Sequence, residues 1–349
     1  AAPETAAAAF ILMEAGSGRV LASRNETQER SIASTTKIMT CLIALEHSEL
    51  TEKVTVKREH LREGSSMYLL EGETLTMEEL LYGLMLPSGN DAAECIAAHC
   101  GGNGGSAQFV RWMNEKAKAL GMEHTSFANP SGLDEMGHSS CALDMARLAA
   151  YAMQNPTFAR IVSTRTASVG TRTMTNHNKL LASYSGCVGL KTGYTTSAGY
   201  CISATAEREG MELIAVVMKG ETADKRNADA KALLNYGFSA YALVSAAPEE
   251  PLPALPVTMG ETDSVSLTLP PDALTAVVEK GQAAALERRI DLPESLPAPV
   301  RQGQQVGTLT LCSGDTELMT VPILAAEDAA GRSWGRMFTD LLKMAVFAG

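Results

Sequence analysis

Residues 34–47 read Ser-Thr-Thr-Lys-Ile-Met-Thr-Cys-Leu-Ile-Ala-Leu-Glu-His. The apolar side chains from Ile38 to Leu45 cover most of the circumference of a helix, which predicts a central, buried helix. The pattern begins at Ser34, and Lys37 follows one turn later, so the hydroxyl and the amine share one face. A serine needs an adjacent base to become a nucleophile. A lysine can be that base when burial or nearby cations lower its pKa, and the apolar surroundings of this helix favour that.

A second motif, Ser88-Gly89-Asn90, follows Pro87. Pro87 ends a helix that the capping box at residues 76–79 and the apolar spacing after it predict. Another helix is predicted from Asp91. The motif therefore lies in a loop between two helices, where it offers a hydroxyl for relaying a proton and an amide for hydrogen bonding to a peptide.

The third motif, Lys191-Thr192-Gly193, lies on a predicted strand. Alternate residues of a strand share one face, so Gly189 and Gly193 flank the lysine. The two glycines leave space for a substrate backbone to lie along the strand, as an added β-strand does. The lysine and the threonine can then bind a carboxylate.

The three motifs together are stronger evidence of a catalytic site than any one of them alone. SxxK is expected about once by chance in a chain of this length, and SGN or KTG about once in ten such chains. Taken singly, Ser34 is readable as a helix cap, Lys37 as a solvated charge and Gly193 as a turn residue. Their order, with one motif at a helix start, one in an inter-helix loop and one on a strand, makes chance remote.

The trio resembles that of the penicilloyl-serine transferases, which are the penicillin-binding proteins and the serine β-lactamases. Over about residues 8–240 the chain resembles the low-molecular-mass D-alanyl-D-alanine carboxypeptidases. Residues 169–175 match no pattern of that family, and the cysteines are unusually many. The segments that carry the resemblance are Gly72-Glu73, Leu80–Leu84, Ser88–Ala93, Asn129–Leu133, Gly189–Thr195 and Ala198–Cys201.

This resemblance implies an α/β (α+β) fold of the transpeptidase and β-lactamase type, with an antiparallel sheet, helices on both sides and a helical lobe. Nine of the 14 prolines fall between Pro248 and Pro299, and residues 247–251 read as a linker. We predict a penicillin-binding serine peptidase domain over residues 1–246 and a small β-rich domain over residues 247–325. Residues 326–349 complete the chain as an amphipathic helix.

The C-terminal segment has apolar residues at helical spacing. Trp334, Met337, Phe338 and Leu341 are among them, and the segment from Arg332 carries a charge of +2 on an otherwise acidic chain. It is too short and too charged to span a bilayer. The pattern predicts an interfacial helix that anchors the protein to a membrane surface, as in the C-terminal anchor of the resembled family. The alternative is a helix packed on its own protein or in an oligomer.

The resemblance also implies the chemistry. Ser34 attacks the carbonyl between two terminal D-alanines, and Lys37 acts as the general base. Ser88 and Asn90 relay the proton and position the peptide. Water then hydrolyses the acyl-enzyme, so the products are D-alanine and a shortened peptidoglycan stem peptide. A β-lactam mimics the dipeptide and should acylate Ser34.

The remaining site residues are assigned by the same resemblance. The backbone amides of Ser34 and Tyr194 would form the oxyanion hole. The Lys191-Thr192-Gly193 motif would hold the terminal carboxylate. Arg226 matches the carboxylate-binding arginine of the family, with Lys225 as the neighbouring candidate. An exposed charge at a helix start is the alternative interpretation of Arg226.

Composition excludes several other classes of function. The 349 residues carry a net charge of −11, which argues against a nucleic-acid-binding protein. The six histidines are scattered without ligand spacing, so we expect no metal and no cofactor. The seven cysteines form no CxxC pair. They are interpreted as small buried apolar residues, although one pair could form a disulfide in an oxidising compartment.

The Ala-rich start hints at an exported protein whose signal peptide has been removed. The expected location is the extracytoplasmic face of a bacterial cell membrane.

Four alternatives remain at this stage. A serine β-lactamase shares the trio, but no glutamate motif of the class A type lies between Ser88 and Lys191. A cross-linking transpeptidase would pass the acyl group to an amine, but the large amino-terminal modules typical of those enzymes are absent. A non-catalytic, peptidoglycan-binding scaffold would be favoured by a degraded trio. A generic amidase lacks support, since neither a Gly-x-Ser-x-Gly elbow nor a Cys/His pair is present.

Overall fold

The computed structural model describes residues 3–283, 286–333, 335 and 338. The chain divides into two compact units, Ala1–Ser239 and Ala240–Gly349. In chain order, the first unit contains β1 (Ala9–Glu14), β2 (Val20–Arg24), α1 (Lys37–His47), β3 (Lys53–Thr55), β4 (Thr74–Thr76), α2 (Met77–Met85), α3 (Asn90–Cys100), α4 (Gly105–Ala119), α5 (Ala142–Met153), α6 (Pro156–Ser163), β5 (Thr166–Val169), β6 (Arg172–Thr175), α7 (Leu180–Ser183), β7 (Cys187–Thr195), β8 (Gly199–Arg208), β9 (Met211–Gly220) and α8 (Ala223–Ala240).

The first unit is built on an antiparallel sheet with strand order β2-β1-β9-β8-β7. Successive side chains of a strand point to opposite faces, and β1 shows this directly. Ile11 and Met13 belong to the large core cluster that also contains α1 and α5. Leu12 points the other way, where a Cβ on Gly237 of α8 would lie 3.1 Å from it. Helices therefore cover both faces of the sheet, as the resemblance implied.

Helix α1 is the central helix of this unit. Every residue from Lys37 to Ala44 is buried, which confirms the prediction from the sequence. The helix does not begin at Ser34, however. The residues Ala33–Thr36 form a 3₁₀ turn that leads into it. Ala33, the first residue of this turn, has a φ of 50°, which lies outside the right-handed helical region.

A helical lobe formed by α2, α3 and α4 packs beside α1. The predicted capping box begins α2: Thr76 Oγ1 accepts a hydrogen bond from Glu79 N, and Glu79 Oε2 accepts one from Thr76 N. This reciprocal pair satisfies two backbone donors that the first turn of a helix leaves free. The Ser88-Gly89-Asn90 motif follows α2 and leads into α3, so it lies between two helices as predicted.

The second unit is rich in β-structure around its own apolar core, which includes Val265, Leu309 and Ile323. Its described residues form three small sheets with strand orders β10-β14, β12-β11-β16 and β13-β18-β17-β15. The strands are β10 (Tyr241–Ser245), β11 (Leu255–Thr258), β12 (Ser264–Val265), β13 (Leu267–Thr268), β14 (Thr275–Glu279), β15 (Leu286–Asp291), β16 (Leu296–Pro297), β17 (Gln305–Ser313) and β18 (Thr316–Ala325).

The second compact unit begins at Ala240, because Tyr241–Ser245 pairs with Thr275–Glu279. The domain assignment over residues 1–246 and 247–325 stays a prediction. Residues 264–268 form two short strands, β12 and β13, in different sheets. Val265 pairs with one sheet and Leu267 with another, so the chain changes sheets between them.

The predicted amphipathic helix over residues 326–349 falls largely outside the described residues and stays a prediction. Of the part that is described, Ala329 forms a bridge with Val300, and Gly331 forms one with Gly260. In the described part of the chain, no helix combines the length and the apolar character needed to cross a membrane.

All seven cysteines lie among the described residues, and no two of them form a disulfide there. The interpretation of most of them as small buried residues is confirmed, since five have buried side chains. Burial raises the pKa of the Cys95 thiol to about 12 and that of Cys201 to about 11. These thiols therefore stay protonated near neutral pH. The five buried cysteines are Cys41, Cys95, Cys141, Cys201 and Cys312.

Candidate active site

Ser34 and Lys37 meet at the start of α1. Side chains three residues apart nearly eclipse in a 3₁₀ turn, and Lys37 Nζ donates a hydrogen bond to Ser34 Oγ at 2.9 Å. The left-handed φ of Ala33 costs about 1–3 kcal/mol in a residue other than glycine. The chain is therefore strained directly before the serine, at the point where the hydroxyl turns toward the amine.

Lys37 is fully buried, and its amine reaches three oxygen acceptors. Beyond Ser34 Oγ, Nζ donates to Asn90 Oδ1 at 2.8 Å and to the carbonyl of Ser131 at 2.6 Å. Burial lowers the pKa of Lys37 well below its usual value, and the positive charge of Lys191 lowers it further. A lysine in this environment can lose its proton and accept one from the serine.

The Ser88-Gly89-Asn90 motif lies on the other side of the amine. Asn90 Nδ2 donates to the carbonyl of Glu63 at 2.8 Å, which turns the amide oxygen toward Lys37. Ser88 has a φ of 65°, and within the described residues its buried Oγ has no hydrogen-bond partner. A buried hydroxyl without a partner is costly, and a hydroxyl held in this way is available to relay a proton.

Residues 129–133 hold the lysine, a role that the sequence did not predict. Asn129 Oδ1 accepts hydrogen bonds from the backbone nitrogens of Ser131 and Gly132, at 3.2 and 2.8 Å. This turn directs the Ser131 carbonyl to Lys37. Gly132 has a φ of 87°, and a Cβ there would lie 1.9 Å from a backbone oxygen of the 3₁₀ turn. A backbone carbonyl has no side-chain signature, so only the resemblance of this segment marked it.

His138 is a second supporting group that the sequence did not reveal. Ala128 N donates to its Nδ1 at 3.0 Å, so the neutral ring carries its proton on Nε2 and donates it to Thr36 Oγ1 at 2.8 Å. Burial lowers the pKa of His138 to about 4, and the ring is therefore neutral near pH 7. This contact ties the turn that carries Ser34 to the loop that holds Lys37.

The KTG motif lies on β7, which within the described residues pairs only with β8 and so forms an edge of the sheet. Lys191 is fully buried and donates from Nζ to the carbonyl of Thr192 at 2.8 Å. Burial and the charge of Arg226 lower the pKa of Lys191 to about 7. Thr192 and Gly193 line the active-site cavity that is described below, whereas Lys191 lies buried behind its wall.

Gly193 permits close contact between β7 and the serine. A Cβ at this position would lie 2.8 Å from Ser34 N and 3.0 Å from Thr35 N. These are backbone atoms, which cannot rotate away. The strand edge therefore approaches the Ser34 amide at a distance that only glycine allows.

We expect Gly193→Ala to lower the rate of Ser34 acylation by benzylpenicillin about 100-fold, because the strand must shift away from the serine and small misplacements of reacting groups are that costly. The measurement is intact-mass spectrometry over time. Gly281→Ala is the matched control, since a Cβ there meets nothing within 4 Å. An unchanged rate in Gly193→Ala would show that the strand position does not matter.

Arg226 lies in the site and Lys225 does not. The Arg226 side chain is buried on α8, and its guanidinium lies 6.0 Å from the centre of the Tyr200 ring. Tyr194 packs on Tyr200 with ring centres 4.4 Å apart. Lys225 is exposed and forms an ion pair with Glu221. Within the described residues no carboxylate lies within 4.0 Å of the Arg226 guanidinium, so its charge is available to an anionic ligand.

A cavity of about 460 Å³ joins these groups. Lys37, Asn90 and Lys191 lie buried behind its surface. In the part of the chain that the structure describes, no three His, Cys, Asp or Glu side chains converge where a metal ion could be held. The predicted site residues that line the cavity are Ser34, Ser88, Thr192, Gly193, Tyr194 and Arg226.

The sequence is similar to two families of known domains. Residues 1–222 match the D-alanyl-D-alanine carboxypeptidase family, and residues 248–330 match the C-terminal domain of penicillin-binding protein 5. The chain is 34% identical to D-alanyl-D-alanine carboxypeptidase DacF of Bacillus subtilis, over 91% of this chain and 84% of the relative. It is 32% identical to DacC of Escherichia coli, over 97% of this chain and 88% of the relative.

Solved structures give the same result. Penicillin-binding protein 5 from Haemophilus influenzae superposes with a TM-score of 0.85 at 27% identity, over 95% of this chain and 99% of that one. The Streptomyces K15 DD-transpeptidase superposes with a TM-score of 0.66 at 35% identity, over 68% of this chain and 99% of that one. The resemblance of the motifs is therefore confirmed, and the chain belongs to the D-alanyl-D-alanine carboxypeptidase family of serine hydrolases.

Proposed function

We propose that this enzyme is a serine-type D-Ala-D-Ala carboxypeptidase, which removes the terminal D-alanine from peptidoglycan stem pentapeptides and is inhibited by β-lactams. The observation that carries the proposal is the hydrogen bond of 2.9 Å between the buried Lys37 amine and Ser34 Oγ. Membership of the family supports the choice of substrate.

In the proposed reaction Lys37 is neutral and accepts the proton of Ser34 as Oγ attacks the carbonyl carbon of the scissile peptide bond. Asn90 holds the amine in place, and Ser88 passes the proton to the nitrogen of the leaving D-alanine. The C–N bond breaks and an ester to Ser34 remains. Water then attacks this ester, and Lys37 accepts a proton from the water. Lys37 returns this proton to Ser34 Oγ as the ester C–O bond breaks, and the shortened peptide leaves.

The backbone of β7 supports both binding and charge stabilisation. An edge strand offers unpaired backbone groups along which an extended peptide can lie. A Cβ on Gly193 would lie 2.8 Å from Ser34 N, and this close approach of the strand edge supports the amides of Ser34 and Tyr194 as the proposed oxyanion hole. Thr192 and Arg226 line the cavity and would bind the terminal carboxylate, with the charge of Lys191 behind them.

The decisive experiment measures D-alanine released from L-Ala-γ-D-Glu-L-Lys-D-Ala-D-Ala, with and without prior treatment with benzylpenicillin. We expect release that stops once Ser34 is acylated. Consumption of penicillin without a lasting adduct on the protein would instead identify a β-lactamase.

A transpeptidase is the second candidate, because the similarity to the Streptomyces K15 DD-transpeptidase covers 99% of that chain. Adding glycylglycine as an acceptor separates the two functions. A carboxypeptidase yields mainly the tetrapeptide, since water resolves the acyl-enzyme. A transpeptidase yields mainly the product extended by the acceptor.

The pH dependence of kcat/KM should be bell-shaped. The active form has Lys37 neutral and Lys191 protonated, and the pKa of Lys191 is lowered to about 7 by burial and Arg226. The rate should rise on the acid side as Lys37 loses its proton, and fall as the pH increases through about 7 and Lys191 loses its charge. Lys191→Arg stays protonated and should remove the alkaline fall. An unchanged alkaline limb in this variant would contradict the assignment.

The domain assignment and the location complete the proposal. A peptidase domain over residues 1–246 would act at the extracytoplasmic side of the membrane, with the β-rich domain over residues 247–325 setting its reach. The match of residues 248–330 to the C-terminal domain of penicillin-binding protein 5 supports this arrangement. The segment 326–349 would bind the membrane surface, so deleting residues 332–349 should abolish sedimentation with anionic vesicles.

A further inference from the structure

A second cavity of about 490 Å³ adjoins the active-site cavity. Ser65, Thr175 and His177 line both cavities, so the two cavities meet at these residues. Ser34 and Ser88 lie only on the first. Tyr68 and Thr173 lie only on the second, and their side chains are exposed. A ligand that extends from Ser34 can therefore enter the second cavity.

One wall of this second cavity is the segment from Ser65 to Leu69. Asp91, which follows Asn90 at the start of α3, accepts hydrogen bonds from Ser66 Oγ at 2.6 Å and from Leu69 N at 3.0 Å. The carbonyl of Ser65 accepts one from Asn90 N at 2.7 Å. The segment is thus fixed to the helix that carries the SGN motif.

The opposite wall is the hairpin of β5 and β6, which contains the residues that match no pattern of the family. Met174 is buried in the main core and borders the cavity, while Thr173 and Thr175 on either side of it are exposed and line it. The hairpin is therefore anchored by its apolar face and presents hydroxyl groups to the cavity.

Arg172 joins the two walls. Its guanidinium forms a bidentate ion pair with Glu73, with Nη1–Oε1 at 2.5 Å and Nη2–Oε2 at 2.7 Å. Nε and Nη2 also donate to the carbonyl of Tyr68 at 3.2 and 2.8 Å. Tyr68 has a φ of 62°, so this carbonyl is held by a left-handed backbone turn. Each nitrogen of the guanidinium donates a hydrogen bond, and this planar group fixes the distance between the two walls of the cavity.

We propose that the second cavity binds the part of the stem peptide on the N-terminal side of the cleaved bond, and that the Arg172–Glu73 pair is the positioning element that sets its width. This inference rests on the proposed function. The charges of the pair cancel, and the lining combines hydroxyl groups and one imidazole with the apolar side chains of Met67, Pro87 and Met174. The cavity therefore suits the backbone of the residue that precedes the two D-alanines and a side chain with an apolar stem and a polar end.

His177 lies at the junction of the two cavities and fits this role. Its partial burial, together with the charges of Lys191 and Lys37, lowers the pKa of its imidazole. The ring is therefore neutral near pH 7 and can both donate and accept a hydrogen bond. A peptide backbone that passes from one cavity to the other meets it.

The test compares a ligand that reaches the second cavity with one that does not. The first is the pentapeptide used above, and the second is 6-aminopenicillanic acid, which has no acyl side chain. Arg172→Ala should lower kcat/KM for the pentapeptide about 10-fold, mainly through KM, because a substrate-positioning contact is lost. The rate of Ser34 acylation by 6-aminopenicillanic acid should stay within about 2-fold of the wild-type rate. Equal losses for both ligands, or no loss for the pentapeptide, would overturn the proposal.

Further variants exclude a merely structural effect. Glu73→Ala and the double variant Arg172→Ala/Glu73→Ala should lower kcat/KM for the pentapeptide no more than Arg172→Ala does, because all three variants break the same ion pair. Thr173→Trp places a large side chain in the cavity from an exposed position. It should weaken binding of the pentapeptide and leave acylation by 6-aminopenicillanic acid unchanged. The matched control is Arg160→Ala, which breaks the ion pair with Glu78 at 2.7 Å on helices that line neither cavity. Arg160→Ala should change neither kcat/KM for the pentapeptide nor the rate of Ser34 acylation by 6-aminopenicillanic acid.

A binding measurement distinguishes failure of this inference from failure of the proposed function. The dissociation constant of the pentapeptide is measured by calorimetry in a Ser34→Ala background, where no turnover is required. Weaker binding with Arg172→Ala supports the cavity even if the wild-type enzyme releases no D-alanine. Unchanged binding there overturns the inference, whether or not the wild-type enzyme is a carboxypeptidase.

Discussion

Ser34→Ala is expected to abolish the stable mass adduct with benzylpenicillin and to lower D-alanine release about 10⁴- to 10⁶-fold, because removing the nucleophile of a serine hydrolase has this effect. The lysine, the amide of Asn90 and the Ser131 carbonyl remain in place, but no atom is left to form the ester. The measurement is intact-mass spectrometry as a time course, with D-alanine release followed in parallel.

The fold should survive this change. Ser34 lies on the cavity wall, and its hydroxyl contacts the Lys37 amine. Ser31→Ala is a matched control at a half-buried position nearby, where the hydroxyl contacts only Ser197 among the described residues. It should acylate at the wild-type rate. A persistent adduct in Ser34→Ala would place the nucleophile elsewhere and contradict the proposed mechanism.

Lys37→Met is the second change with a large expected effect. Methionine has a similar length and volume, so the buried site stays filled, but no amine remains to accept the proton of Ser34. Loss of a general base lowers rates about 10²- to 10⁴-fold. We expect acylation by benzylpenicillin to slow by that amount, while circular dichroism shows a folded protein.

Lys116→Met is the control for this substitution. Lys116 is also on a helix and pairs with Glu46 at 2.8 Å, but it lies outside the cavity. It should acylate normally. If Lys37→Met acylated Ser34 as fast as the wild type, another group would have to be the base, and the contact of 2.9 Å would have only a structural role.

The sequence by itself determined the elements whose causes are local. Apolar spacing marked α1 as buried, because a helix brings residues three and four apart onto one face. The same periodicity placed Ser34 and Lys37 together before any tertiary contact was known. The box from Thr76 to Glu79 fixed the start of α2 through hydrogen bonds that span only three residues.

Only the tertiary structure decided which distant groups complete the site. The Ser131 carbonyl reaches Lys37 across 94 residues, and Arg172 reaches Glu73 across 99. Neither contact has a spacing that sequence periodicity could reveal, and a carbonyl is common to every residue. Packing also placed Lys191 behind the cavity wall and joined Tyr241–Ser245 to the second unit. Such placements depend on how whole elements fit together, whereas the motifs depend on short stretches of chain whose geometry is set by covalent structure and local hydrogen bonds.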